Sequence, residues 1–236
     1  LKLAFDQAVR ISRTGNAIIE EFIDGEELSV DLYVENGRAN ILCVRILDTV
    51  PETDGFIICR GRYPAPLSEY TRNRIQNIAQ RIADAFELVD TPMLIQMKVD
   101  GDDIKVIEFC ARTGGGIKYR LIPKISGFDP VKAVLDLTLG NRPRFERNRF
   151  NGYIIDEFLY CRPGVLDRLI GFSELQKEGI IDHYEQYKLS GHEFATISGS
   201  GDRVAYFSVQ ANSLAELQRK HRAAGKRVQA ISNTGE

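Results

Sequence analysis

The 236-residue sequence has no apolar run approaching the roughly 20 residues of a membrane-spanning helix. It has no charge excess either. Lys and Arg number 31 against 33 Asp and Glu, a formal net charge of −2, so bulk electrostatics give no case for nucleic acid or an anionic membrane as partner. Histidine is scarce, with only His183, His192 and His221. The cysteines Cys43, Cys59, Cys110 and Cys161 form no CxxC pair and have no histidine at ligand spacing. That argues against structural zinc and suits free thiols in a reducing cytoplasm. The opening Leu1-Lys-Leu-Ala-Phe-Asp6 lacks the basic region and long apolar core of a signal peptide. With no initiator Met, a fragment or a processed chain is the expectation. Internal repeats and low-complexity tracts are absent. What is present, 43% hydrophobic and 27% charged residues, is the ordinary composition of a soluble protein able to bury a core in one large domain or two small ones.

Residues 2–13 have helical spacing of Leu3, Ala4, Val9 and Ile11, ended by Gly15-Asn16. Ala17–Ile23 reads as a strand broken by Asp24-Gly25. Leu28–Val34 alternates apolar and polar, as a half-buried strand does, and Asn36-Gly37 is a strong hairpin signal before a strand over 39–47. Gly55–Tyr63 is a further strand. Ser68 caps a helix over 69–86 whose apolar positions include Ile75, Ile78, Ala79, Ile82, Ala83 and Phe86. Two strands joined at Asp100-Gly101 follow, then Gly114–Gly116, a short helix near 117–125, and a helix begun by Asp129-Pro130 and stopped at Gly140-Asn141. Residues 141–150, with Arg142, Arg144, Arg147 and Arg149, are a basic linker. Beyond it, strands over 152–159, 164–169, 180–189 and 203–211 and the capping boxes Ser173-x-x-Gln176 and Ser213-x-x-Glu216 make a smaller α+β module. The last helix is expected over 213–224, before Gly225.

Chemistry concentrates in Met93–Gly116. Alternation places Gln96 and Lys98 on one face of the first strand, and Ile104, Val106 and Glu108 on one face of the second. Glu108 stands among apolar neighbours, and an unpaired buried carboxylate is costly. Across the turn near Asp100–Asp103, Gln96 and Glu108 can lie side by side and aim at one point. A carboxylate and an amide oxygen suit Mg²⁺, which takes few protein ligands and completes its shell with water and phosphate. A surface hairpin with a Gln–Glu hydrogen bond is the alternative. Past the strand, Arg112-Thr-Gly-Gly-Gly116 joins a guanidinium fork to backbone N–H groups able to hold an anion, or makes an ordinary flexible loop. A third cluster runs from Glu20 to Glu27; Glu20 and Glu21, adjacent on a strand, point to opposite faces, so that one faces the core or a pocket, or the segment is an edge strand carrying solvated acids.

Taken together, Glu-Glu-Phe-Ile-Asp-Gly-Glu-Glu-Leu-Ser-Val-Asp31, the Asn-Gly hairpin, Tyr-Pro-Ala-Pro-Leu67 and Ile-Gln-Met-Lys-Val99 with Val-Ile-Glu-Phe-Cys-Ala-Arg-Thr-Gly-Gly-Gly116 resemble the ATP-grasp superfamily over roughly residues 1–140. The branch is that of carbamoyl-phosphate synthase, biotin carboxylase and the carboxylate–amine ligases. Residues 150–236 resemble the small C-terminal module of the amino-acid ligases. The resemblance implies an α+β fold, the C-terminal part of an ATP-grasp fold with an antiparallel sheet and flanking helices. It divides the chain into an ATP-grasp nucleotide-binding domain over 1–145, incomplete at its N-terminal side, and a small α+β module over 146–236. It implies adenine contacts from the Glu20 side chain and the backbones of Glu21 and Ile23, ribose contact from Glu27, metal ligation by Gln96 and Glu108, and Arg112 at the transferred phosphoryl group. ATP and Mg²⁺, with Mn²⁺ as an alternative, are the implied cofactors. Small-molecule carboxylates and amines are the implied partners, with homo-oligomerisation left open. The implied reaction is ligation through an acyl phosphate. A carboxylase-like or carbamoyl-phosphate-forming subunit and a non-catalytic nucleotide-binding module are the rivals.

Two departures bear on activity. Cys110 stands where the family has Asn, and a thiol is a soft ligand poorly suited to Mg²⁺. The family's glycine-rich phosphate loop precedes the region matched by Leu1–Asp6, so the expectation is a fragment that binds ATP weakly and does not turn over alone.

Overall fold

Asn36 and Gly37 both take positive φ, 49° and 79°, as a tight two-residue hairpin turn with matching strand twist requires. They join β1 (Glu26–Glu35) to β2 (Arg38–Thr49), paired antiparallel from Glu35↔Arg38 back to Glu27↔Leu47. This computed structural model describes residues 1–51, 57–146, 148 and 150–232. β3 (Ile58–Tyr63) lines up on β2. Gly55 and Phe56, the expected start of that strand, lie outside the described residues, as do Arg147 and Arg149 of the basic linker. A second hairpin, β4 (Thr91–Asp100) and β5 (Asp103–Cys110), pairs through β4 with β1.

The sheet continues past the basic linker. β6 (Tyr153–Tyr160) pairs with β3, β7 (Gly164–Ile170) leaves for a small second sheet, and β8 (His183–Gln186), β9 (Glu193–Phe194), β10 (Arg203–Ala211) and β11 (Gln229–Ser232) complete the strands. The main sheet is eight-stranded and antiparallel, in the order β5-β4-β1-β2-β3-β6-β10-β8, and the small one is β11-β7-β9.

Helices complete the layers. α1 (Lys2–Ile11) buries none of its residues. α2 (Glu69–Ala85) is capped by the Ser68 hydroxyl, which accepts from Thr71 N–H at 3.0 Å. Its buried Ile75, Ala79 and Ala83 pack on Leu28, Val30, Ile95 and Met97, the even face of β1 and the odd face of β4. α3 (Lys118–Ser126) lies on the opposite face, placing Ile117, Leu121 and Ile125 against Cys43, Ile154 and Tyr206. α4 (Pro130–Thr138) starts as expected, with Asp129 accepting from Val131 and Lys132 N–H. α5 (Phe172–Lys177) and α6 (Leu214–Arg227) cover β6 and β10 through Leu175, Leu217 and Ala224. Among the described residues no helix is long and apolar enough to cross a membrane.

Three expectations fail. Residues 17–23 form no strand and make no backbone hydrogen bond among the described residues, because a strand exists only where a neighbour supplies its ladder. Ser173 sits inside α5 and caps nothing; Gly171, in a left-handed conformation, is the N-cap. α6 runs through Gly225 to Arg227, since burying Ala224 and Val228 outweighs the roughly 1 kcal/mol helix penalty of one glycine.

The apolar layer between α2 and the sheet buries Ile75, Ala79 and Ala83, so its packing contributes to stability. Ile75→Ala is expected to destabilise the protein by about 2–5 kcal/mol, and Ser68→Ala by about 1 kcal/mol. Urea unfolding at neutral pH measures both; an Ile75→Ala loss as small as that of the cap variant would refute this ranking.

Candidate functional site

Pairing between β4 and β5 is regular from Asp100↔Asp103 to Met97↔Val106, then slips by one, so that Gln96 faces Glu108. Ile107 is the extra residue of a β-bulge. It corrects the expected alternation: Ile104 and Val106 pair with Val99 and Met97 toward the α2 layer, while Glu108 is turned to the other face beside Gln96. The adjacency of Gln96 and Glu108 is therefore found, by a bulge rather than by unbroken alternation.

Next along the sheet, β1 presents Glu27, Ser29 and Asp31 on this same face. Gln96 donates through its side-chain amide to Glu27 Oε1 at 3.1 Å, which leaves its carbonyl oxygen free to turn toward Glu108. Lys98 Nζ lies 4.0 Å from Glu27 Oε2 and donates to the Gly25 carbonyl at 3.3 Å. Burial raises the Glu27 carboxyl above the usual carboxylate range; Lys98 and Gln96 oppose this and Glu108 adds repulsion. Two oxygen-bearing side chains beside a third, mutually repelling carboxylate are a donor set that a hard divalent cation would relieve. Among the described residues no cluster of three or more His, Cys, Asp or Glu forms a self-sufficient metal cage.

The other sequence candidates are spread around this face. Arg112 is exposed just past β5, its guanidinium donating to the Thr113 carbonyl at 2.9 Å. Cys110, half-buried, pairs with Leu94 at the end of β5. Glu20 and Glu21 are exposed and Ile23 is half-buried, in the unpaired segment leading into β1.

Sequence reading missed a buried polar network beneath the glycine loop. Lys118 Nζ donates to Ser29 Oγ at 2.7 Å and to Asp31 Oδ1 at 2.8 Å, with side chains only 8% and 3% exposed for Lys118 and Asp31. Burial lowers the Lys118 ammonium from its usual range, against the pull of Asp31. A Cβ on Gly114 would come 2.2 Å from Lys118 Cδ and 2.8 Å from Asp31 Oδ1, so any larger residue there would displace the buried pair. Ser29 is also the register partner of both Gln96 and Arg45. Arg45 meets Asp156 of β6 at 3.3 Å, both buried, and Arg45 Nε has no hydrogen-bond partner among the described residues. Burial pushes the Asp156 carboxyl up to about 6 despite Arg45 and the Ser208 hydroxyl. The signal for this network was available: Lys118 precedes Leu121 and Ile122 on the apolar stripe of its helix, a position where a lysine needs a partner.

The Lys118–Asp31 pair ties the loop to the sheet, and removing one partner leaves the other charge buried. Lys118→Met is expected to cost about 3–5 kcal/mol, and Lys118→Met with Asp31→Leu distinctly less than the sum of the two single losses. Chemical denaturation of the four proteins in the cycle decides this; additive losses would show that the pair is not coupled.

Residues 4–120 match the family model of the ATP-grasp domain. Phosphoribosylamine–glycine ligase of Lactococcus lactis is 26% identical over 148 residues, which are 56% of this chain and 34% of that enzyme. The chain thus spans about a third of the length of that curated relative. An L-amino acid ligase from Bacillus licheniformis superposes with a TM-score of 0.79 at 20% identity, over 90% of this chain and 53% of its own. The biotin carboxylase domain of Hydrogenobacter thermophilus 2-oxoglutarate carboxylase, solved with MgADP and bicarbonate, superposes with a TM-score of 0.74 at 18% identity, over 98% of this chain and 51% of its own. These two likenesses show a shared fold. With the matched sequence segment and the antiparallel sheet in agreement, residues 4–120 of the chain belong to the ATP-grasp family.

Proposed function

We propose that the protein is an ATP-dependent carboxylate–amine ligase working through an acyl phosphate. The observation that carries this is the bulge-made pairing of Gln96 with Glu108, one strand from Glu27 and Lys98, at the root of an Arg112–Gly116 loop in an ATP-grasp chain. Relatives that ligate glycine or amino acids support the choice of reaction.

In this reading the unladdered backbone of Glu21 and Ile23 and the Glu20 carboxylate hold the adenine edge, and Glu27 the ribose. Gln96 Oε1 and Glu108 hold Mg²⁺, or Mn²⁺, which when bound neutralises phosphate charge and orients the leaving group. A carboxylate oxygen attacks the γ-phosphorus, the β–γ bridging P–O bond breaks and ADP leaves. The amine nitrogen then attacks the acyl carbon, the C–O bond to phosphate breaks, and inorganic phosphate and a proton depart. Arg112 swings from the Thr113 carbonyl onto the transferred phosphoryl oxygens, a charge-assisted contact stronger than the one it leaves. Positioning and charge neutralisation do the work, so no catalytic histidine is required.

Mass spectrometry of the full-length protein with ATP and mixed amino acids is expected to show a ligated product. Glu108→Gln should lower its rate on the order of 100-fold. ADP release without product, or an active Glu108→Gln variant, would refute the reading. Cys110 favours a second reading, a nucleotide-binding module without turnover. Cys110→Asn is expected to tighten Mg²⁺–ATP binding in calorimetry, and unchanged or weaker affinity would show that the thiol does not limit the metal site.

A further inference from the structure

The glycine loop has an arginine at each end. Arg112 precedes it. At the far end stands Arg203, the first residue of β10, whose Nη1 lies 3.9 Å from where a Gly116 Cβ would be. Three contacts hold this guanidinium. Nε donates to Tyr160 Oη at 3.1 Å, Nη2 donates to the Ile58 carbonyl at 3.3 Å, and Cζ lies over the Phe158 ring, 3.9 Å from its centroid. These fix the fork and leave Nη1 without a hydrogen bond among the described residues, at the edge of a loop that has no side chains.

The loop beside it is equally prepared. Gly115 has no atom within 4 Å of a would-be Cβ, and Gly116 takes φ +65°, so its backbone is open where Arg203 points. A planar cation with a spare donor, held rigid beside exposed backbone, matches an oxyanion. No carboxylate competes for it in the static structure: its three partners are a phenol, a carbonyl and an aromatic ring.

We infer that Arg203, with the Gly115–Gly116 backbone, forms an anion subsite that anchors the carboxylate of the amine-donating amino-acid substrate, whose amine and not its carboxylate reacts, at the end of the site away from the metal pair. The inference rests on the ligase reading above and deepens it by naming the substrate class. Distance favours a substrate carboxylate over nucleotide phosphate. The guanidinium is held above β6 and the start of β3, and three strand spacings separate β3 from β4, which carries Gln96. That is roughly 14 Å of sheet, beyond the reach of a phosphate bound at Gln96 and Glu108. Arg112 and Gly116 lie four residues apart on one loop, so a nucleophile that reacts beyond the phosphate, beside Arg112, turns its far end toward Arg203. Arg203 touches no reacting atom in this arrangement; it fixes which molecules are bound and how they lie.

The test compares wild type, Arg203→Met and Arg203→Lys in the full-length protein, each first shown by thermal unfolding to be folded. Ligation is assayed with one fixed carboxylate donor, the amine-donating amino acid being offered as its free acid and as its primary amide. Arg203→Met should raise KM for the free acid roughly tenfold to a hundredfold, leave KM for ATP unchanged and leave the amide unaffected, with Arg203→Lys recovering part of the loss. An equal loss for acid and amide would overturn the inference, and a rise in KM for ATP instead would assign the anion to phosphate and overturn it too. If no ligated product forms at all, the ligase reading falls, and the subsite is judged by binding alone. The ¹³C-carboxyl line of labelled glycine should then broaden with wild type and not with Arg203→Met. Equal broadening with both, or none with either, would refute the subsite. Tyr160→Phe guards against misfolding: it keeps the cation but frees it, and should give a smaller rise in KM for the same free acid.

Discussion

A side chain on a strand can face only one side of its sheet, and the side is set by pairing register. In the β4–β5 hairpin the regular ladder, continued past Met97↔Val106, would set Ile107 against Gln96 and Glu108 against Ile95. Ile95 is wholly buried in the apolar layer under α2. A carboxylate there would have to be neutralised or pay the full desolvation penalty. One extra residue removes the conflict. The bulge leaves Ile107 half out in solvent, returns Phe109 to the apolar layer opposite Ile95, and delivers Glu108 to the polar face next to Gln96. Every other polar element of the site is arranged relative to that pair.

The two faces of the sheet then have different jobs. The face under α2 is a packed aliphatic layer that supplies stability. The opposite face, from β4 across to β6, carries Gln96, Glu27, Ser29, Asp31, Arg45 and Asp156, with Lys118 brought down from α3. The Lys118 pair has short bonds on two acceptors, whereas Arg45 and Asp156 meet through one contact of 3.3 Å, with a guanidinium N–H left over and a carboxyl that burial holds near 6. A buried pair so incompletely satisfied adds little to stability, and an apolar substitute would serve better for that purpose. Its position in the Ser29 row beside Gln96 is consistent with electrostatic shaping of a site.

Much of the fold could be read from residue patterns, because local chemistry decided it. Asn36-Gly37, Ser68, Asp129-Pro130 and Ser213 all act where they stand, through turn geometry and capping that depend on near neighbours. The failures depend on distant groups. Ala17–Ile23 has strand composition, but no described strand runs beside it. Gly225 looks like a helix stop until Val228 and Ala224 are seen buried against β6 and β10. The spacing of Gln96 and Glu108 pointed to their adjacency, while strict alternation pointed Glu108 to the wrong face; only the bulge reconciles the two. Ser29 and Asp31 read as the solvent side of an alternating strand, and nothing in that strand revealed that a helix and a glycine loop cover them.

The loop from Arg112 to Gly116 shows why glycine is needed there for more than flexibility. Gly114 is a close-approach glycine: a methyl group would strike Lys118 and Asp31. Gly116 is a conformational one, in the left-handed region that side chains disfavour. Gly115 meets neither constraint, and its backbone lies open. A loop pinned by its first glycine and turned by its last presents the middle backbone at a fixed height above the polar face, between two guanidinium groups. Chemistry that relies on holding charged reactants in line, rather than on moving protons through side chains, needs that fixed height more than it needs any titrating group. The density of fixed charge on that one face of the sheet suits such chemistry.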